Sequence, residues 1–142
     1  MKVSKDFDVR EFVPPQIWQR FKESSGWFIR PEVIRLAQFY RDWFGAAVTV
    51  NTWPWGGPHT ERGFRLPHTD TGASLSQHRF GCAFDCTIDG LSADEVRQEI
   101  LSHEEAFMEA GLTTLESGEF APTWVHSDIR HTGQEEIFIV GA

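Results

Sequence analysis

Residue types that commonly bind metal ions lie close together in SQHRFGCAFDC, which runs from Ser76 to Cys86. Within it, His78 and Asp85 stand seven positions apart. Imidazole nitrogens and carboxylate oxygens are both common zinc ligands. A third ligand is available downstream, because TWVHSDIR contains His126. Three protein ligands leave the fourth position of a tetrahedral zinc ion for water, which is the arrangement of catalytic rather than structural sites.

Strands are the elements expected to hold these ligands. HRFGCAFDCTI is predicted as one strand, in which alternation sets Asp85 on the face opposite to Phe84. PTWVHSDIR is predicted as another, in which Trp124, His126 and Asp128 share one face. The predicted site therefore draws its ligands from two strands.

Three helices are predicted from the spacing of apolar residues. The first lies near residues 14–24, and the second covers residues 31–44 and ends at Gly45. The third is SADEVRQEILSHEEAFMEAGL, in which Ser92 and Glu95 form a capping box. These helices are expected to pack against the sheet.

Further strands and a long loop complete the predicted fold. AAVTVNTW, TTLESGEF and EEIFIVGA read as strands, and WPWGGPHTERGFRLPHTDTGAS reads as a loop whose length is typical of functional or disordered loops. The order of elements predicts an α+β fold with a mostly antiparallel sheet and helices packed on it. The length fits a single domain over residues 1–142, with residues 1–30 as an N-terminal helical extension.

The SQHRFGCAFD segment resembles the SxHxxGxAxD signature of the zinc D-alanyl-D-alanine carboxypeptidase family. The matching positions are Ser76, His78, Gly81, Ala83 and Asp85. That family includes D-Ala-D-Ala dipeptidases, phage endolysins that cut L-alanyl-D-glutamate bonds, and murein endopeptidases, and the hedgehog signalling domain shares its fold. The resemblance covers about residues 30 to 140. It implies a hedgehog-like or peptidase-like fold and a zinc-dependent hydrolase that acts on peptidoglycan peptides.

Two further matches extend the resemblance. His126, within WVHSD, matches the later histidine of the family, so that the implied zinc ligands are His78, Asp85 and His126. Gly63-Phe64-Arg65 matches a G-[YF]-R element whose arginine contacts the substrate and the developing oxyanion. Arg65 is therefore the expected substrate or oxyanion contact, although pairing with a nearby carboxylate is the alternative. Ser76 is expected to hold its loop, to orient a ligand or to contact substrate.

One position departs from the family pattern. Many members carry Glu or Asp three residues before the last histidine ligand as general base, and Thr123 stands there in this chain. Asp128 is the first candidate for another base, with Glu119 and Glu61 as weaker ones. Asp128 is equally suited to a hydrogen bond or ion pair that orients His78, His126 or Arg130. The alternative is a site that binds zinc without fast catalysis.

Composition narrows the choice of partners. The net charge of −8 and pI of about 5.1 argue against nucleic-acid binding, and the longest apolar runs are too short for membrane insertion. The charged start of the chain predicts no signal peptide, hence a protein that is cytoplasmic as synthesised and that acts on the cell wall after phage-type release.

Cys82 and Cys86 are predicted to be free, because four strand steps separate them by roughly 13 Å.

Three functions are consistent with these patterns. The first is a zinc metallopeptidase that hydrolyses a bond in peptidoglycan stem peptides or crosslinks. The second is a zinc-containing binding module that recognises peptidoglycan or a protein without turnover. The third is a structural or accessory domain of phage origin. The absence of an acidic residue at Thr123 keeps the second and third open.

Overall fold

A computed structural model describes residues 1–141 of the chain, and within them five strands form one mixed sheet. The strand order is β1-β2-β4-β3-β5, in which only the β3–β5 pair is parallel. The α+β class with a mostly antiparallel sheet is thus confirmed. The strands are β1 (Val48–Thr49), β2 (Ala83–Ile88), β3 (Thr114–Glu116), β4 (Val125–Asp128) and β5 (Phe138–Val140). The α-helices are α1 (Pro15–Phe21), α2 (Pro31–Phe44), α3 (Ala93–Ser102) and α4 (Glu104–Glu109).

One face of the sheet packs against helices. Phe84 of β2 is fully buried there, and the ring of Tyr40 on α2 lies 5.4 Å from it between centroids. The Tyr40 hydroxyl is 2.7 Å from the hydroxyl of Ser127 on β4, so that both buried polar groups have a partner. Since side chains alternate along a strand, the neighbouring residues Asp85 and His126 project from the opposite face.

The first residues of the chain belong to the core. Phe7 and Phe12 are no more than 1% exposed. The carbonyl oxygen of Phe12 accepts a hydrogen bond of 2.7 Å from the backbone N–H of Phe64. A Cβ at Gly63 would collide with the Phe12 backbone, so that only glycine permits this approach. The N-terminal segment therefore packs directly on the Gly63-Phe64-Arg65 element.

Two predicted helices differ in extent. The helix predicted near residues 14–24 ends at Phe21, because Lys22 adopts a left-handed φ of +49° and a 3-10 segment follows. The third predicted helix is interrupted at His103, whose Nδ1 lies 3.1 Å from the carbonyl oxygen of Glu99. The ring nitrogen thus occupies the carbonyl oxygen of Glu99, to which a backbone N–H would donate if the helix continued. This contact ends α3 before α4 begins.

The strand predicted at AAVTVNTW is reduced to Val48–Thr49. The cause is the buried side chain of Asn51, which donates to the carbonyl oxygen of Val13 and accepts from the backbone N–H of Arg62. These bonds tie the chain to other loops instead of to the sheet. Within residues 1–141, the helices are too short and polar to cross a membrane.

Candidate metal centre

His78 lies on a 3-10 turn, Gln77–Phe80, that precedes the second strand. The prediction that HRFGCAFDCTI is strand throughout is therefore wrong for its first residues, since β2 begins at Ala83. Ser76 caps the turn, because its hydroxyl accepts the backbone N–H of His78 at 3.3 Å. This contact bears out the expectation that Ser76 holds the loop.

Gly81 turns the chain from His78 into β2. Its φ of +69° is a conformation that favours glycine. A Cβ at this position would also collide with the carbonyl oxygen of Phe28. The glycine of the motif is therefore required by the backbone path beside the site.

Asp85 and His126 are directly opposite each other on the antiparallel strands β2 and β4. Directly opposite residues point to the same face and bring their Cβ atoms within about 5.5 Å. The His78 turn lies against this face, with its ring 5.0 Å from that of His126 between centroids. The three side chains are buried, with exposures of 2% for His78, 5% for Asp85 and 6% for His126.

Three potential ligand atoms converge between these side chains. Nε2 of His78 is 3.1 Å from Oδ1 of Asp85 and 3.2 Å from Nδ1 of His126. The third edge, from Asp85 Oδ1 to His126 Nδ1, is 2.9 Å. Tetrahedral zinc with bonds of about 2.0–2.1 Å holds its ligand atoms about 3.3 Å apart. A small increase in these three distances would therefore match the spacing of ligand atoms around zinc, and the three side chains could hold a metal ion.

The far nitrogen of each imidazole is held by an oxygen. Nδ1 of His78 donates to the carbonyl oxygen of Gly63 at 2.7 Å, and Nε2 of His126 donates to Asp128 Oδ2 at 2.7 Å. Because a carbonyl and a carboxylate only accept, each far nitrogen carries the hydrogen. In the neutral rings, the near nitrogens then present lone pairs towards Asp85. Such outer contacts are those that orient histidine ligands on metals.

A proton is the alternative to a metal ion at this point. Burial opposes the charged form of His126, but hydrogen bonds to Asp128 and Asp85 outweigh it and raise its pKa to about 9. Burial also opposes ionisation of Asp85, yet the neighbouring His78 and His126 hold the pKa of that carboxyl well below its usual range. At neutral pH a metal ion must therefore displace a proton from His126.

Asp128 is fully buried, and both of its oxygens are engaged. Oδ2 accepts from His126 and from Arg130 Nη2 at 2.6 Å, while Oδ1 accepts from Arg130 Nε at 2.9 Å. Burial opposes ionisation of Asp128, but these hydrogen bonds outweigh it and lower its pKa. The contacts favour the orienting role for Asp128, and its role as general base stays a prediction.

Arg65 contacts the carboxylate oxygen of Asp85 that does not face the two histidines. Its Nη2 lies 3.2 Å from Asp85 Oδ2, and its Nε donates to the carbonyl oxygen of Glu61 at 2.8 Å. The expected alternative, pairing with a carboxylate, is thus observed. Arg65 also lines the cavity over the site, so that contact with a substrate stays a prediction.

A cavity of about 470 Å³ lies over the three ligand atoms. Its walls include the predicted residues Arg65 and Ser76, together with Trp124. They also include Arg130, which the sequence predicted only as a partner of Asp128, and Glu116 and Val140, which no sequence pattern predicted. Alternation in TTLESGEF could have shown that Glu116 shares a face with other residues of its strand, but not which strand lies beside it. Within residues 1–141, neither Thr123 nor Glu119 lines this cavity, and both are exposed.

Comparison with protein-family models, with curated proteins and with solved structures finds no match for this chain. Membership of the zinc peptidase family therefore stays a prediction that rests on the sequence motifs. The candidate metal centre rests on the geometry of His78, Asp85 and His126.

Proposed function

We propose that the protein is a zinc-dependent metallopeptidase that hydrolyses a bond in peptidoglycan stem peptides or crosslinks, as a carboxypeptidase or an endopeptidase. The observation that carries the proposal is the convergence of His78 Nε2, Asp85 Oδ1 and His126 Nδ1 beneath a cavity. Two nitrogens and one oxygen form a ligand set that suits zinc. The proposal includes the hedgehog-like or peptidase-like fold that the motifs imply, and action on the cell wall after phage-type release.

The cavity walls support a peptide substrate with acidic groups. When bound, zinc lowers the pKa of a water molecule towards about 7 and polarises a carbonyl group. Arg65 and Arg130 set positive charge at the cavity, where a substrate carboxylate or a developing oxyanion would be stabilised. Trp124 and Val140 provide apolar wall for the remainder of the peptide. A volume of about 470 Å³ falls within the usual range of ligand sites.

A zinc-containing binding or phage accessory domain is the second candidate. It is favoured by the exposed Thr123 in the position where relatives of the resembled family carry an acid, and by the fully engaged oxygens of Asp128. In such a domain, the metal would join the 3-10 turn to the two strands and stabilise the fold.

Zinc content and peptidoglycan turnover, measured together, test the proposal. We expect about one zinc ion per chain by elemental analysis, and release of peptide fragments from purified peptidoglycan by mass spectrometry. His78→Ala should lose both zinc and turnover, because it removes one of three ligands. His131→Ala, at an exposed histidine outside the site, is the matched control and should keep both.

Each outcome separates the candidates. Zinc that is retained by His78→Ala would show that the metal binds elsewhere. One zinc ion per wild-type chain without release of any fragment would overturn the peptidase and leave the binding or accessory domain. A wild-type chain that takes up no zinc at neutral pH would overturn both.

A further inference from the structure

A row of four side chains crosses the sheet at the metal centre. Asp85 on β2 lies opposite His126 on β4. The β3–β4 register pairs Thr114 with Asp128 and Leu115 with Ser127, so that the next residue of β3, Glu116, is opposite His126. On the far side, Glu116 is paired with Val140 of β5. The row therefore reads Asp85, His126, Glu116 and Val140, one residue from each of the four neighbouring strands β2, β4, β3 and β5.

All four members of the row face the same cavity. Directly opposite residues project from the same face of a sheet, with Cβ atoms about 4.5–5.5 Å apart. The cavity walls include Asp85, His126, Glu116 and Val140, as this geometry requires. Glu116 is thus the neighbour of a metal ligand on the side away from Asp85.

Glu116 and Asp85 differ in whether their carboxylates already have hydrogen-bond or ion-pair partners. Among residues 1–141, these two supply the carboxylates that line the cavity. Asp85 is committed to the two histidines and to Arg65. Glu116 is partly exposed, and its carboxylate makes no hydrogen bond or ion pair with any residue from 1 to 141, although its charge, after the contacts of Asp128, helps to raise the pKa of Arg130. It is therefore free to exchange a proton with a molecule in the cavity.

The other acids near the centre are less suitable. Both oxygens of Asp128 are occupied by His126 and Arg130. The Glu61 carboxylate accepts from the Thr69 hydroxyl, and it lines a smaller adjoining cavity. Glu119 is exposed outside β3 and does not line the cavity over the metal centre, as far as residues 1–141 show.

We propose that Glu116 is the general base of this site, in place of the acid that is missing at Thr123. The inference rests on the proposed peptidase function. As water attacks the scissile carbonyl carbon, a C–O bond forms and one proton of the water passes to the Glu116 carboxylate. When the C–N bond breaks, its electron pair stays on nitrogen and the proton moves from Glu116 to that nitrogen. The products are a carboxylic acid and an amine, and Glu116 is again ionised.

Glu116→Gln, compared with Glu119→Gln, tests this role. The two variants make the same substitution three positions apart, one inside the cavity and one on the exposed surface. We expect Glu116→Gln to keep its zinc and KM while kcat on peptidoglycan fragments falls at least about 100-fold. Glu119→Gln should match the wild type. Glu116→Asp, which keeps a carboxylate, should recover part of the rate.

The outcomes distinguish this inference from the proposed function. Wild-type turnover with an equal rate in Glu116→Gln overturns the role of Glu116 and leaves the peptidase intact. A raised KM with unchanged kcat overturns it as well, because Glu116 would then bind substrate without transferring a proton. A wild-type protein that holds zinc but cleaves no bond overturns the peptidase itself, and with it any general base.

Discussion

The two imidazoles of the candidate metal centre are oriented by oxygens of different kinds. His78 is held by a backbone carbonyl, Gly63 O, whereas His126 is held by the carboxylate of Asp128. The carboxylate in turn is fixed by Arg130. Because a carboxylate raises the basicity of its imidazole more than a carbonyl does, His126 is expected to depend more strongly on its partner.

Asp128→Asn tests that dependence. Asparagine keeps an oxygen for His126 but loses the charge that pairs with Arg130, so that the ring is held less firmly. We expect zinc affinity to fall about 10–100-fold, measured by competition with a chromophoric chelator. Asp89→Asn, at an exposed turn, should leave the affinity unchanged. If Asp128→Asn keeps full affinity and loses turnover, Asp128 is the base and the orienting role is wrong.

At the scale of elements, the turn that carries His78 depends on Gly81. Gly90 offers a matched comparison, because both glycines have left-handed φ angles, +69° and +81°. A Cβ at Gly90 would meet open space, whereas one at Gly81 would collide with the carbonyl oxygen of Phe28. Both Gly81→Ala and Gly90→Ala introduce backbone strain, but only Gly81→Ala adds a collision. The difference in their effects on stability therefore measures the collision alone.

We expect Gly90→Ala to lower the free energy of unfolding by about 1–2 kcal/mol and to leave zinc affinity unchanged. Gly81→Ala should cost more and should also weaken zinc binding, since relief of the collision moves the turn that holds His78. Denaturant unfolding and chelator competition measure the two effects. Equal losses in both variants would show that the approach to Phe28 does not hold the turn.

At the scale of the whole molecule, the protonation state of His126 affects the free energy of unfolding. Its pKa is about 9 in the folded chain against an ordinary value of 6.5. The ion pairs of the charged ring with Asp85 and Asp128 therefore stabilise the metal-free fold fully below about pH 6.5, and this contribution is lost as the pH rises through about 9. Bound zinc would replace the proton and remove this decline.

Unfolding of the metal-free and zinc-loaded protein, measured from about pH 6 to about pH 10, checks the coupling. We expect the free energy of unfolding to fall over this range in the metal-free protein and to fall less with zinc. His131→Ala should behave as the wild type, because that exposed ring lies outside the site. A flat profile in the metal-free protein would contradict the raised pKa of His126.

The N-terminal segment, although distant in sequence, helps to position His78 of the candidate metal centre. Phe12 is buried, and its carbonyl oxygen holds the backbone of Phe64 beside Gly63, whose own carbonyl orients His78. The start of the chain thus supports a ligand far along the sequence. No local pattern predicts this support, because it depends on which segments meet in the core.

Residue types and short spacings determined the chemistry of the predicted site. His78, Asp85 and His126 were identifiable from motif positions, and the structure brings their ligand atoms together. The α+β class was equally predictable, because hydrophobic periodicity and the capping box of Ser92 and Glu95 are local signals. The turn at His78 was missed, since the strand-like residues around it do not reveal the contact of Gly81 with Phe28.

Only the tertiary structure decided which side chains surround the ligands. Glu116 lies beside His126 because β3 pairs with β4 in one register, and a shift of one residue would turn Glu116 to the other face. The position of Val140 follows from the parallel pairing of β5 with β3. Strand pairing joins residues that are distant in sequence, and the free energy that selects it comes from burial of the whole core. Sequence alone thus determined the candidate ligands, while the pairing of the strands decided what faces them.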